Sequence, residues 1–169
     1  MKAQEVRYLK KGFSLFELLI VLAVFSVFLI VLSIVLNDYL KKAEQNIEVL
    51  DALKRLTEAS NKVTQYLLRA SGDAISVKIA SSTEITFDII IAGEKINAKL
   101  QVADENTVLY YENNLSETIK VENVEIRFEK ADPSSEIDLP VKLTAKTRNP
   151  FNKDSNLVIE STIYPPGVR

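Results

Sequence analysis

In KKGFSLFELLIVLAVF, residues 10–25, a single carboxylate, Glu17, stands inside an apolar run. An ionisable group in hydrocarbon is costly. For Asp, Lys or Arg the cost is about 2.5 to 3.5 kcal/mol at a bilayer centre and less toward an end, so such a group takes a partner. No second charge lies within residues 13–36. The partner must come from the preceding leader, from another molecule, or from a new chain terminus. A cationic amine 4 Å away would attract Glu17 by about 4 kcal/mol at an effective dielectric of 20, before either group is desolvated.

Three other constellations could do chemistry. In NPFNKDSN, residues 149–156, Asn152, Asp154 and Asn156 alternate, and oxygen donors so spaced can ligate calcium. Only one of them is charged, and the bidentate glutamate and the glycine of an EF-hand loop are missing, so a polar turn is favoured. Tyr110 and Tyr111, with Phe151 and Tyr164, could stack on nucleic-acid bases. Adjacent strand residues point to opposite faces, however, which makes one tyrosine core and the other surface. Asp104 and Glu105 could be imagined as acid and base, but nothing places them in a cleft, and a solvated loop is the simpler reading.

Composition removes whole classes of function. The 169 residues contain no cysteine and no histidine, so disulfides, thiolate chemistry and the commonest general base and metal ligand are all missing. No cofactor is expected. The net charge is −2 and the pI about 5.4, without the basic excess of a dedicated nucleic-acid binder. Nucleic acid is therefore not an expected partner.

The elements that must position Glu17 begin with residues 13–36, 24 residues with no other charge. As a helix they would span about 36 Å against a hydrocarbon core of roughly 30 Å. Soluble buried helices rarely stay apolar on every face for so many turns. A secretory signal has a shorter apolar region of about 7 to 15 residues and a small-residue cleavage site, and SIVLNDYLKKAEQ offers none. Lys2, Arg7, Lys10 and Lys11, opposed by Glu5, precede the run. The positive-inside rule keeps that end cytoplasmic and sends residue 37 onward across the membrane, a single pass.

The basic leader, the glycine, the following aromatic residue and the glutamate four residues beyond it, KKG|FSLFELLIVLAVFSV, resemble the class III signal of type IV pilins and type II secretion pseudopilins. The resemblance implies that a prepilin peptidase cuts between Gly12 and Phe13 and methylates the new amino group of Phe13. It also implies that Glu17 becomes the fifth residue of the mature chain. The apolar helix, carrying Phe13, Leu18, Leu22, Phe25, Leu29 and Leu36, would lie in membrane lipid and then pack against other pilin or pseudopilin subunits. An inner-membrane assembly platform would be a further partner, and the filament would be extracytoplasmic. Two departures stand out: Ile34 occupies a position where many major pilins have a helix-weakening proline, and no C-terminal disulfide loop can form.

Helical periodicity continues through Leu40, Ala43, Ile47, Leu50, Leu53, Leu56, Val63 and Leu67, with Ser71 and Gly72 as a stop. A continuous helix to about Ala70 would be about 87 Å long. From there the apolar period changes to two, as in Ile85, Phe87, Ile89 and Ile91 or Ile96, Ala98, Leu100 and Val102. Further strands are expected at 107–112, 118–130 with a break at Asn123, 139–147 and 157–164. Turn residues separate them at Gly93, DEN, ENN, DPSS and NPFNKDSN.

An amphipathic helix followed by one-faced strands buries its stripe across a sheet, giving an α+β, pilin-like fold with a long N-terminal helix on an antiparallel β-sheet. The expected organisation is a leader at 1–12, a transmembrane and assembly helix at 13–36, its amphipathic continuation at 37–72 and a β-rich region at 73–169. Residues 37–169 carry 17 basic and 21 acidic side chains and no basic stripe. The function expected is structural and not enzymatic: a minor subunit of a type IV pilus or a pilus-like secretion pseudopilus. The alternative is a competence pilin involved in DNA uptake, and a third reading is a membrane-anchored enzyme or solute-binding domain that shares only the leader.

Overall fold

The computed structural model describes residues 14–72, 76–152 and 154–168. Among the described residues one helix, α1 (Leu15–Leu67), is followed by ten strands. The chain divides into two compact units, the first ending at Glu44 and the second covering Gln45–Arg169. Each is described by itself.

In the first unit α1 runs without a break, and every residue from 15 to 42 is exposed. An 18-residue stretch has a mean hydropathy of 3.3, and the helix is long and apolar enough to cross a membrane. Ile34 sits inside the helix, as expected of a segment without proline. The Ser26 hydroxyl donates to the Leu22 carbonyl at 2.7 Å and so is satisfied within the helix.

In the second unit α1 buries Ala52, Leu56, Ala59, Ser60, Val63 and Leu67. Ile47 and Leu50 remain exposed, although they continue the apolar spacing. At 100° per residue, the two successive steps of three from Leu50 to Leu53 and Leu56 each fall 60° short of a full turn. The stripe therefore walks about 120° around the helix, and only its later part meets the sheets. The helix stops at Leu67, three residues before the expected end, and Arg69 and Ala70 donate to the carbonyls of Tyr66 and Leu67 in a tightened last turn.

The strands are β1 (Ser71–Gly72), β2 (Lys78–Ser81), β3 (Glu84–Ile91), β4 (Glu94–Asp104), β5 (Thr107–Glu112), β6 (Leu115–Lys120), β7 (Glu125–Lys130), β8 (Val141–Arg148), β9 (Asn156–Ile163) and β10 (Gly167–Val168). The antiparallel framework is present but divided: β2-β3-β4-β5-β6 form one sheet and β7-β8-β9 another. Ser71 and Gly72, expected only to end the helix, also pair in parallel with Gly167 and Val168.

The expected strand at 118–130 is two strands in different sheets. Asn123, with φ of 53°, lies at the crossing, a left-handed conformation that asparagine tolerates. The β4–β5 turn holds this crossing: Asn106 accepts the N–H of Val121 on its carbonyl and that of Asn123 on its side chain, and the Glu105 carbonyl accepts the N–H of Val124. Helix residues Leu56, Val63 and Leu67 share one core with Phe87 and Leu100 of the larger sheet and Phe128 and Leu143 of the smaller.

Candidate functional site

Glu17 lies in the first turn of α1. Its carboxylate Oε2 accepts the Ser14 N–H at 2.9 Å, while the Glu17 N–H donates to the Ser14 Oγ at 3.2 Å. This reciprocal pair is a capping box: Ser14 precedes the helix, Glu17 stands three residues later, and two backbone donors that the helix cannot satisfy are used. Its negative charge also suits the helix N-terminus. The S-x-x-E spacing of Ser14 and Glu17 is a sequence signature of such a cap, though it coincides with the charge and spacing to Phe13 that point to processing. Gly12 and Phe13 lie outside the described residues. Leu18, Leu22, Phe25, Leu29 and Leu36 are all about half exposed along the apolar segment.

Several residues of the other constellations have structural partners. Tyr110 is buried, whereas Tyr111 faces outward beneath the Lys99 ammonium, 4.9 Å from its ring centre. Tyr110 packs on Tyr66 at a centroid separation of 4.7 Å, and Arg69 lies over both rings. The Tyr110 hydroxyl donates to Glu112 at 2.8 Å. Burial, together with that bond, pushes the phenol up to about 12. A ring held this way offers no face to a base, which weighs against the stacking reading. Phe151 and Tyr164 are exposed.

Asp104 accepts the Asn106 N–H at 2.7 Å and so shapes the turn that braces the sheet crossing. Asn152 accepts the Asp154 N–H at 3.2 Å, and its carbonyl accepts the N–H of Ser155. Its side-chain oxygen therefore serves the turn, in line with the polar-turn reading, while Asn156 begins β9. Among the described residues no group of three acidic, histidine or cysteine side chains is placed to hold a metal.

One open cleft of about 500 Å³ is lined by Arg55, Glu105, Glu125, Lys146, Thr147 and Arg148. Its charges are largely spoken for. Arg55 pairs with Asp51 at 3.4 Å, Glu125 is shared by Arg127 and Lys146, and the Thr147 hydroxyl donates to the Asn123 carbonyl. Among the described residues no nucleophile and base stand in hydrogen-bond contact there.

Among known proteins, residues 7–34 match the family described as the prokaryotic N-terminal methylation motif. No curated protein and no solved structure matches the chain. The matched segment contains the Gly12–Phe13 junction, Glu17 and most of the apolar run. Together with the apolar helix it supports a type IV pilin-like, inner-membrane-anchored protein processed by a prepilin peptidase. It points to a structural subunit that assembles with other pilin subunits rather than to an enzyme.

Proposed function

We propose that the chain is a minor subunit of a type IV pilus or of a pilus-like secretion pseudopilus. It is inserted with its N-terminus in the cytoplasm, cut between Gly12 and Phe13, methylated on Phe13, and drawn into a filament by residues 13–36. The observation that carries this reading is the match over residues 7–34, with Glu17 at the mouth of an apolar helix. In the filament, Glu17 pairs with the Phe13 amine of an adjacent subunit, which stays cationic after single methylation. That pairing fixes the axial register of one helix against the next. Partner contacts are then made by the β-rich region at 73–169, outside the membrane.

Mass spectrometry of the mature chain tests the proposal. The expected N-terminus is N-methylated Phe13. An intact Met1, or a cut after Leu36, overturns it. Co-purification of neighbouring subunits then identifies the machine.

A further inference from the structure

Hydrogen-bond phase separates the four outer strands of the two antiparallel sheets. In an antiparallel pair, opposed residues alternately exchange both backbone bonds or none, so every second residue of an edge strand turns its N–H and C=O outward. On three edges an outward group is used within the molecule. The outward Ile79 N–H of β2 donates to Asp138 Oδ2 at 2.7 Å. In β7 the outward Phe128 N–H donates to the Ser82 carbonyl at 2.8 Å. The Lys120 carbonyl of β6 accepts the Lys62 ammonium at 3.2 Å.

Strand β9 differs. The Asn149 N–H donates to the Ser155 carbonyl at 3.1 Å, and the same register continues through Thr147↔Leu157, Ala145↔Ile159, Leu143↔Ser161 and Val141↔Ile163. These odd-numbered residues of β9 bond to β8, so the backbones of Asn156, Val158, Glu160 and Thr162 face away from the sheet. No hydrogen bond to these outward groups is found among the described residues. Nor does the strand carry the usual protection of an edge, since it has no proline and no bulge. Its one charge, Glu160, is held by Lys142 of β8 at 2.9 Å.

We propose that β9 pairs antiparallel with β9 of a second copy of this chain, joining two three-stranded sheets into one six-stranded sheet. The strand is complementary to itself. Centring the pair on Ile159 sets Asn156 opposite Thr162 and Val158 opposite Glu160 as hydrogen-bonded pairs, using all four outward residues. Ile159 then meets Ile159 in the closer, non-bonded position, where β-branched cross-strand contacts stabilise sheets. Leu157 and Ile159, partly buried against the core, gain cover from the neighbouring strand. A shift of two residues one way leaves fewer pairs, and the other way sets Glu160 against Glu160. This pairing goes beyond the filament proposal, because it involves none of residues 1–36.

Because the chain has no cysteine, single cysteines report the register cleanly in the full-length protein in its membrane. Cα atoms of a non-bonded antiparallel pair lie about 4.5 Å apart, within disulfide reach. Oxidation of Ile159→Cys should give a disulfide-linked dimer, and Val158→Cys or Ser161→Cys should not. In the Ile159→Cys chain, adding Asn156→Lys with Thr162→Lys should abolish the dimer, and Asn156→Lys with Thr162→Glu should restore it. A chain that stays monomeric, equal cross-linking at all three positions, or a cross-link from Ile159→Cys to a different protein would overturn the proposal. A normal Phe13 terminus with no dimer would remove this pairing and leave the filament reading standing.

Discussion

The two stretches of α1 share one secondary structure and obey opposite rules of burial. From Leu15 to residue 44 the helix exposes its large apolar side chains, from 41% at Leu32 to 79% at Leu15. From residue 45 to Leu67 it buries one face, with Leu56 and Val63 fully enclosed, and presents Lys54, Arg55, Glu58 and Lys62 on others. Burial of apolar surface is worth about 25 cal/mol per Å² wherever water is the alternative. An apolar helix so exposed is therefore suited to lipid or to neighbouring helices, while the later stretch has water on one side and its own sheets on the other. The same contrast explains where charge is tolerated: Asp51 and Arg55 or Lys54 and Glu58 pair in water at i, i+4, whereas Glu17, at the end of the apolar part, has no ion pair among the described residues.

Large-to-small changes should break the comparison most sharply. Leu56→Ala leaves a cavity in the core shared with both sheets and should cost about 2 to 5 kcal/mol, read as a lower thermal midpoint of the second unit. Leu29→Ala, of the same chemistry in the first stretch, should leave that midpoint unchanged. A charge should reverse the ranking. Val24→Lys, near the middle of the apolar run, should cost about 2.5 to 3.5 kcal/mol of membrane insertion. Fractionation of membranes reads that loss, and the second unit should still melt normally.

Away from the helix, Asp138 gives a smaller effect with a definite pH dependence. Burial alone would raise its carboxyl, but hydrogen bonds from Lys130 and the Ile79 N–H, with the charges of Lys130 and Lys78, outweigh it and hold the carboxyl below the usual range. A carboxyl so depressed adds stability that is present above about pH 4 and lost as pH falls through its folded value. Asp138→Ala should destabilise by about 1 to 3 kcal/mol, because the Ile79 donor loses its acceptor. Equilibrium unfolding at pH 7 and pH 3 should show a larger penalty at pH 7.

Legibility followed the strength of local patterns. Period-two alternation located β3 and β4 because a buried face forces every second residue to be apolar. Asn123 marked a break, but which sheet each half joined depends on the β4–β5 turn, a contact distant in sequence. The β1–β10 pair was invisible, since two residues per strand carry no period and their partners lie almost a hundred residues apart. The helical stripe has the spacings of three and four expected of one face, although repeated threes rotate it away from the core. At the candidate site, the charge of Glu17 is conspicuous in the sequence, whereas its bond to Ser14 is hidden because the capping pattern overlaps the processing signal.

That overlap leaves Glu17 with a capping role seen in the structure and a proposed role in assembly, and the smallest expected effect distinguishes them. As a capping residue it needs only an acceptor for the Ser14 N–H, which glutamine supplies equally well. As the counter-charge of a neighbour's Phe13 amine it needs the carboxylate, and glutamine fails. Ser14→Ala removes the hydroxyl that accepts the Glu17 N–H and should cost the helix start about 1 kcal/mol, a modest fall in helicity that leaves filament incorporation near normal. Glu17→Ala removes both functions and should abolish incorporation while cleavage after Gly12 continues. Glu17→Gln decides between them: helix content like the unmodified chain with incorporation lost assigns the essential role to charge, and restored incorporation assigns it to the cap.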